Sequence, residues 1–135
     1  MKQINFVEEI RYRNTEAGIT LKIELFYAGN HSTVSAKVDC GATVCLFSHE
    51  DGLDLGIPIE QGIPKRLNGL TGSLDAFGHE VTVQIGSITF QSTVYFAKYP
   101  GLPRNLFGLQ GGLRNLKLGL VDYDNMLYFS PYDAT

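Results

Sequence analysis

The stretch VSAKVDCGATVCLFS, residues 34–48, holds a single acid, Asp39, at the end of an apolar run and just before Cys40, Gly41 and Ala42. A carboxylate can take or give a proton, so this group suits general acid–base work on a water molecule. Gly41 lets the backbone turn tightly beside it. Asp is also an ordinary turn residue, but solvated turns carry more polar neighbours than Val38, Ala42, Val44, Leu46 and Phe47. Cys40 raises a second chemistry, a thiol nucleophile with His31, His49 or His79 as its base. No recognised signature surrounds any of the three histidines, and an adjacent acid disfavours the thiolate. They read as surface residues. A metal site built from Cys40, Cys45 and a histidine lacks the C-x₂-C knuckle and a second cysteine pair. Neither metal nor cofactor is expected, and both thiols read as reduced and buried.

The elements that must hold Asp39 are strands. Residues 19–28 alternate Ile19, Leu21, Ile23 and Leu25 against Thr20, Lys22 and Glu24, the period of a half-buried strand. A turn centred on Gly29-Asn30 leads into a second strand over 33–39, so 19–39 predicts a hairpin. A third strand is expected over 42–48 and a turn or short helix over 49–57. Lys65 to Leu70 predicts a strand ending in the glycine-rich tip NGLTGS, residues 68–73. Val81, Val83 and Ile85 alternate within 74–86, and 87–97 follows through Gly86-Ser87. After a Pro/Gly loop at 99–105, residues 106–120 start as a short strand. They continue as a short helix on the spacing of Leu109, Leu113 and Leu116. A strand pair with Asp124-Asn125 at its turn closes the chain, and residues 1–18 are either a strand that helps dimerise or a loose end. Ser73, Asp75, Tyr95 and Tyr99 read as surface or core.

Composition sets the outer bounds. The 135 residues suit one domain, 1–135, with its core at about 19–130, and 44% apolar residues suffice for a real core. The net charge is −3 and no basic cluster exceeds Lys65-Arg66, so nucleic acid is not expected as a partner. The N-terminus carries acids where a secretory leader would be apolar, and no window approaches a membrane span. With only two cysteines, a soluble cytoplasmic protein without a membrane partner is expected.

Lys37-Val38-Asp39-Cys40-Gly41-Ala42 resembles the active-site signature of retropepsin-like aspartic proteases, apolar-apolar-Asp-[Ser/Thr]-Gly-Ala. Leu106-Phe107-Gly108 is similar to the family's apolar-Gly element, and RLNGLTGSLDAF, residues 66–77, stands where its flap hairpin belongs. The cellular, bacterial-type members look most alike. The resemblance implies an all-β, retropepsin-like barrel with a flap hairpin and one short C-terminal helix. It implies a peptidase in which Asp39 is catalytic, Cys40, Gly41 and Ala42 form the active-site loop, and Leu106, Phe107 and Gly108 support it. Asn68, Gly69, Leu70, Thr71 and Gly72 would form the flap and bind substrate. One motif supplies one carboxylate, whereas the reaction uses two that share a proton. The implied enzyme is therefore a C2 homodimer acting on a peptide or protein substrate, its two Asp39 groups titrating as a pair. The alternative is a binding or oligomerisation module of the same fold with weak or no catalysis. Two departures bear on this. Cys40 replaces a hydroxyl that, in the family, bonds across the dimer, and a thiol is the weaker donor. Thr43 and Leu109 stand where viral relatives have an Asp and an Arg.

Overall fold

The computed structural model of the chain describes residues 1–13, 18–69 and 72–134. The first strand, β1 (Glu8–Arg11), is followed by β2 (Thr20–Tyr27) and β3 (Asn30–Val38). Next come β4 (Leu46–Phe47) and the short helix α1 (His49–Asp54). The middle of the chain is β5 (Ile63–Gly69), β6 (Gly72–Ile85) and β7 (Ile88–Ala97). The chain ends with β8 (Asn105–Phe107), β9 (Leu116–Val121) and β10 (Met126–Pro131).

Six strands run β2-β3-β8-β4-β7-β6, and β6 pairs back onto β2 through Leu25 and Val83, which closes a barrel. Closure removes the free edges that an open sheet would expose. Alternation fills it as expected: Leu21, Ile23 and Leu25 from β2, with Val81, Val83 and Ile85 from β6, are all buried. Phe47, Phe96 and Phe107 are fully buried among them. Each such side chain contributes about 2–3 kcal/mol of transfer free energy. A second sheet, β1-β10-β9, lays Leu127 and Phe129 against the same core. The N-terminal strand β1 thus pairs with β10 of its own chain, Glu8 opposite Phe129 through Arg11 opposite Met126.

Strand β6 does two jobs. Residues 72–78 pair with β5, while Ala76–Ile85 pair with β7. Its inner half is part of the barrel wall, and its outer half, with β5, projects as a hairpin. Cross-strand contacts hold the stem of this hairpin. Arg66 lies opposite Asp75 and donates to its carboxylate at 2.8 Å, and also to the Ser73 hydroxyl at 2.8 Å.

Several expectations change in detail. The first hairpin turn is Ala28-Gly29, because Tyr27 pairs with Asn30. Both turn residues have positive φ, 48° and 83°, the signature of a two-residue type I′ turn. The strand expected over 42–48 is reduced to Leu46–Phe47 and a bridge from Val44 to Gln110, because β8 occupies the space beside β3. The helix expected after β8 is a single 3₁₀ turn, Leu113–Asn115, and Leu116 already starts β9. Ser48 caps α1 by accepting the Asp51 N–H at 3.0 Å.

Ala28 carries a Cβ in the left-handed region, where Asn is better tolerated. Ala28→Asn is expected to stabilise the fold by about 0.5–1 kcal/mol, measured by thermal or urea unfolding.

Candidate active site

Asp39 follows directly on β3, where the strand must stop and turn. Its N–H donates to the Phe107 carbonyl at 3.0 Å, continuing the parallel pairing of Val38 with Phe107. The chain then folds back, with the Ala42 N–H donating to the Asp39 carbonyl at 3.1 Å. Within this turn the Gly41 N–H donates to Asp39 Oδ1 at 2.9 Å. The carboxylate is therefore fixed by its own loop, half-buried and facing out of the barrel. At Gly41 a Cβ would come within 3.2 Å of Oδ1.

The strand β8 lies between β3 and β4, which are consecutive in sequence but not adjacent in space. Beyond β8 the Leu109 N–H donates to the Ala42 carbonyl at 2.9 Å, and the Gln110 N–H to the Thr43 carbonyl at 2.8 Å. The Asp39 loop is thus held on one side by Phe107 and on the other by Leu109 and Gln110. Gly108 sits between them, and only a glycine fits. A Cβ there would lie 2.2 Å from the Val44 carbonyl oxygen and 2.6 Å from that of Ala42.

Asp39, Gly41 and Ala42 share one cleft of about 620 Å³ with Asn68, Gly69 and Gly72 at the hairpin tip. Leu106 also lines it, whereas Phe107 belongs to the core and Gly108 is buried beneath the loop. The structure thereby brings the expected loop, the hairpin tip and the apolar-Gly element together. Leu70 and Thr71 of the expected tip lie outside the described residues. Thr43, Val44, Leu46, Leu67, Ser73 and Leu74 line the cleft as well. Leu46 could have been found from alternation, since Phe47 next to it turns into the core. Arg66 and Asp75 could have been found by counting back from a tip at Gly69 and Gly72.

The two cysteines differ, contrary to the expectation of two buried thiols. Cys40 is exposed at the corner of the turn, while Cys45 is wholly buried behind it. Burial pushes the Cys45 thiol up to about 11, a shift only partly offset by its contact with the Gly108 carbonyl. The histidines are engaged elsewhere. His49 Nδ1 lies 3.2 Å from the Ala97 carbonyl, His79 Nε2 2.8 Å from that of Ile59, and His31 3.5 Å from Glu24. His49 and His79 are half-buried rather than surface groups. Among the described residues no three of His, Cys, Asp and Glu gather as metal ligands, and no helix is long and apolar enough to cross a membrane.

Comparison with known proteins adds an independent view. The family model described as aspartyl protease matches residues 23–119. A retropepsin-like aspartic protease from Rickettsia conorii superposes with a TM-score of 0.65 at 21% identity, covering 92% of this chain and 99% of that one. The EIAV protease, solved with the inhibitor HBY-793, superposes with a TM-score of 0.55 at 17% identity, covering 71% of this chain and 86% of that one. A search of curated proteins by sequence found no match to this chain.

Two outcomes are expected from this geometry. Gly108→Ala should destabilise the fold by more than about 3 kcal/mol, because the neighbours of its Cβ are backbone atoms that cannot step aside; chemical unfolding measures it. At pH 8 an aromatic disulfide reagent should titrate one thiol of the native chain, Cys40, and two after unfolding. Since the Cys45 thiol is raised from the ordinary 9.0 to about 11, its contribution to stability is intact below pH 9 and is lost as the pH climbs to 11.

Proposed function

We propose that this chain, which belongs to the aspartyl protease family, is an endopeptidase that works as a two-fold symmetric homodimer with one Asp39 from each copy. The observation that carries this reading is the shared cleft. Asp39 lines it, held by the Gly41 N–H, and Asn68, Gly69 and Gly72 of the β5–β6 hairpin line it as well. Among the described lining residues Asp39 is the only ionisable side chain. One carboxylate cannot both take and give the protons of peptide hydrolysis, so a second must come from another copy.

In the proposed dimer the two carboxyl groups share one proton, because two like charges in contact cannot both ionise. The ionised Asp39 takes a proton from a water molecule, whose oxygen attacks the scissile carbonyl carbon. The protonated Asp39 gives its proton to the carbonyl oxygen. Transfer of a proton to the amide nitrogen then lets the C–N bond break, and the carboxyl pair returns to its shared-proton state. The Gly41 N–H keeps the carboxylate oriented throughout. Main-chain groups of the hairpin could receive an extended substrate as an added strand, with water excluded beneath it.

Cys40 favours a second reading. In place of a cross-dimer hydroxyl it presents an exposed thiol, which suits a binding or oligomerisation module that cuts little or nothing.

One set of measurements separates the two. Cleavage of a mixed peptide library between pH 4 and 7 should be lost in Asp39→Asn by at least about 1,000-fold; equal cleavage by both proteins removes Asp39 from the chemistry. Sedimentation should show a dimer at micromolar concentration, and a strict monomer rules the shared-proton mechanism out. Cys40→Thr should tighten the dimer or raise the cleavage rate, and no change in either would remove Cys40 from the interface.

A further inference from the structure

The strand that holds the Asp39 loop is short. β8 has three residues, paired with β3 as Ala36–Asn105, Lys37–Leu106 and Val38–Phe107, and with β4 only as Leu46–Leu106. A slip of one residue would turn Leu106 out of the cleft and carry Gly108 from beneath the loop. So short a ladder offers few main-chain bonds against such a slip. Phe107 opposes it by filling the core. A second device stands at the other end of the strand.

Asn105, the first residue of β8, is a polar side chain only 8% exposed. Its Oδ1 accepts the Ser48 N–H at 2.8 Å. Its Nδ2 donates to the Ser35 carbonyl at 2.9 Å and to Asp51 Oδ2 at 2.7 Å. Ser35 belongs to β3, Ser48 directly follows β4, and Asp51 lies in α1. One amide therefore grips both neighbours of β8 in the sheet and the helix beside them. None of these bonds survives a one-residue shift, because the side chain would then point to the opposite face.

The residue type follows from the partners. They require two donors and one acceptor on a single short group, which an amide provides. An ionised Asp has no donor and would set an oxygen against the Ser35 carbonyl and the Asp51 carboxylate. A Leu of similar shape would satisfy none of the three.

The chain carries this anchorage straight to the acid. Phe107, two residues on, accepts the Asp39 N–H, and the Leu109 and Gln110 N–H groups hold the Ala42 and Thr43 carbonyls. Whatever fixes Asn105 fixes where these groups stand.

We infer that Asn105 is a positioning residue for Asp39: clamped between Ser35 and Ser48, its amide sets the register of β8 and so the placement of the acid's loop. The inference rests on the peptidase reading for its effect on turnover, and on the hydrogen bonds alone for its effect on the loop.

The test compares the full chain with two variants. Asn105→Asp removes the donors and keeps the shape, and Asn105→Leu removes all three bonds and adds no charge. Native-state hydrogen exchange is read by NMR at the Asp39, Leu109 and Gln110 amides, with the amides of β2 and β6 in the barrel wall as the reference. In both variants the three loop amides should exchange about 10-fold faster, while the reference stays within about twofold. Thermal melts check folding, and if Asn105→Asp does not fold, Asn105→Leu decides the question. In the wild type the Asn105 Nδ2 protons should exchange in step with the Asp39 N–H as urea is raised. On a peptide that the wild type cleaves, the variants should lower kcat about 10-fold and leave KM within about twofold. Loop amides that do not respond overturn the inference. So does equal acceleration of loop and barrel, which marks a merely global loss of stability, and so does an Nδ2 exchange unrelated to that of Asp39. If the loop responds and the wild type cleaves no peptide, the peptidase reading fails and the clamp stands. If the variants cleave at the wild-type rate, the inference fails and the peptidase reading stands.

Discussion

The contact on which the rest of this structure depends is the insertion of β8 between β3 and β4. Three main-chain bonds, from Asp39 to Phe107, from Leu109 to Ala42 and from Gln110 to Thr43, anchor the acid's loop to a strand almost seventy residues away. They form only if the two backbones meet without a side chain between them, and Gly108 makes that approach possible. The loop is therefore set by tertiary pairing, while its short-range geometry is completed by the Gly41 N–H on the carboxylate. Both ends of the insertion are apolar. Phe107 is locked in the barrel core, and Leu106 faces the cleft. One three-residue strand thus supports the loop from below and supplies the wall beside it.

The second organising feature is the double use of β6. Its inner half alternates buried residues into the barrel, and its outer half pairs with β5 and is exposed or half-buried from Gly72 to Asp75. A projecting hairpin has few tertiary contacts to hold its shape. Here the Arg66–Asp75 and Arg66–Ser73 contacts brace the stem. These are exposed, so each adds little to global stability. Their effect is local, limiting how the tip can sit over Asp39. The closed barrel is thus held more firmly than the hairpin that shares the cleft with Asp39.

Much of this was legible in the residues. Alternation marked β2 and the inner half of β6, because both faces of a barrel wall are chemically distinct. Asp39 and Gly41 stood out because an acid at the end of an apolar strand and a glycine at a sharp turn leave few residue choices, whereas Gly108 joined them only through the resemblance to the retropepsin-like motif. The Ala28-Gly29 turn was misplaced by one residue, since Ala at positive φ contradicts local preference and only the register of Tyr27 with Asn30 reveals it. The stretch after β8 misled for another reason. Leu109, Leu113 and Leu116 have helical spacing, yet two glycines, Gly111 and Gly112, break the run, and the pairing of β9 with β10 claims Leu116 as a strand residue. Cys40 and Cys45 looked equivalent by composition. Only the folding back of the loop separates the exposed corner from the core position.

What a single copy presents explains why the proposed mechanism needs two. The Asp39 carboxylate has one main-chain donor, no cation among the described residues lining its cleft, and no second acid within it. Among the described residues lining the cleft, no second group can hold the proton that the proposed reaction must later deliver. A symmetric pair changes this without any new residue type, because each carboxylate becomes the other's partner and their mutual repulsion retains one proton between them. The residues at the meeting point are then fixed by the loop itself, Cys40 foremost among them. A thiol offers a softer, weaker contact than a hydroxyl at such a place. In the proposed pair, cohesion would then fall to other surfaces; Leu120, Val121, Tyr123 and Tyr132 of the terminal strands and turns are exposed large side chains.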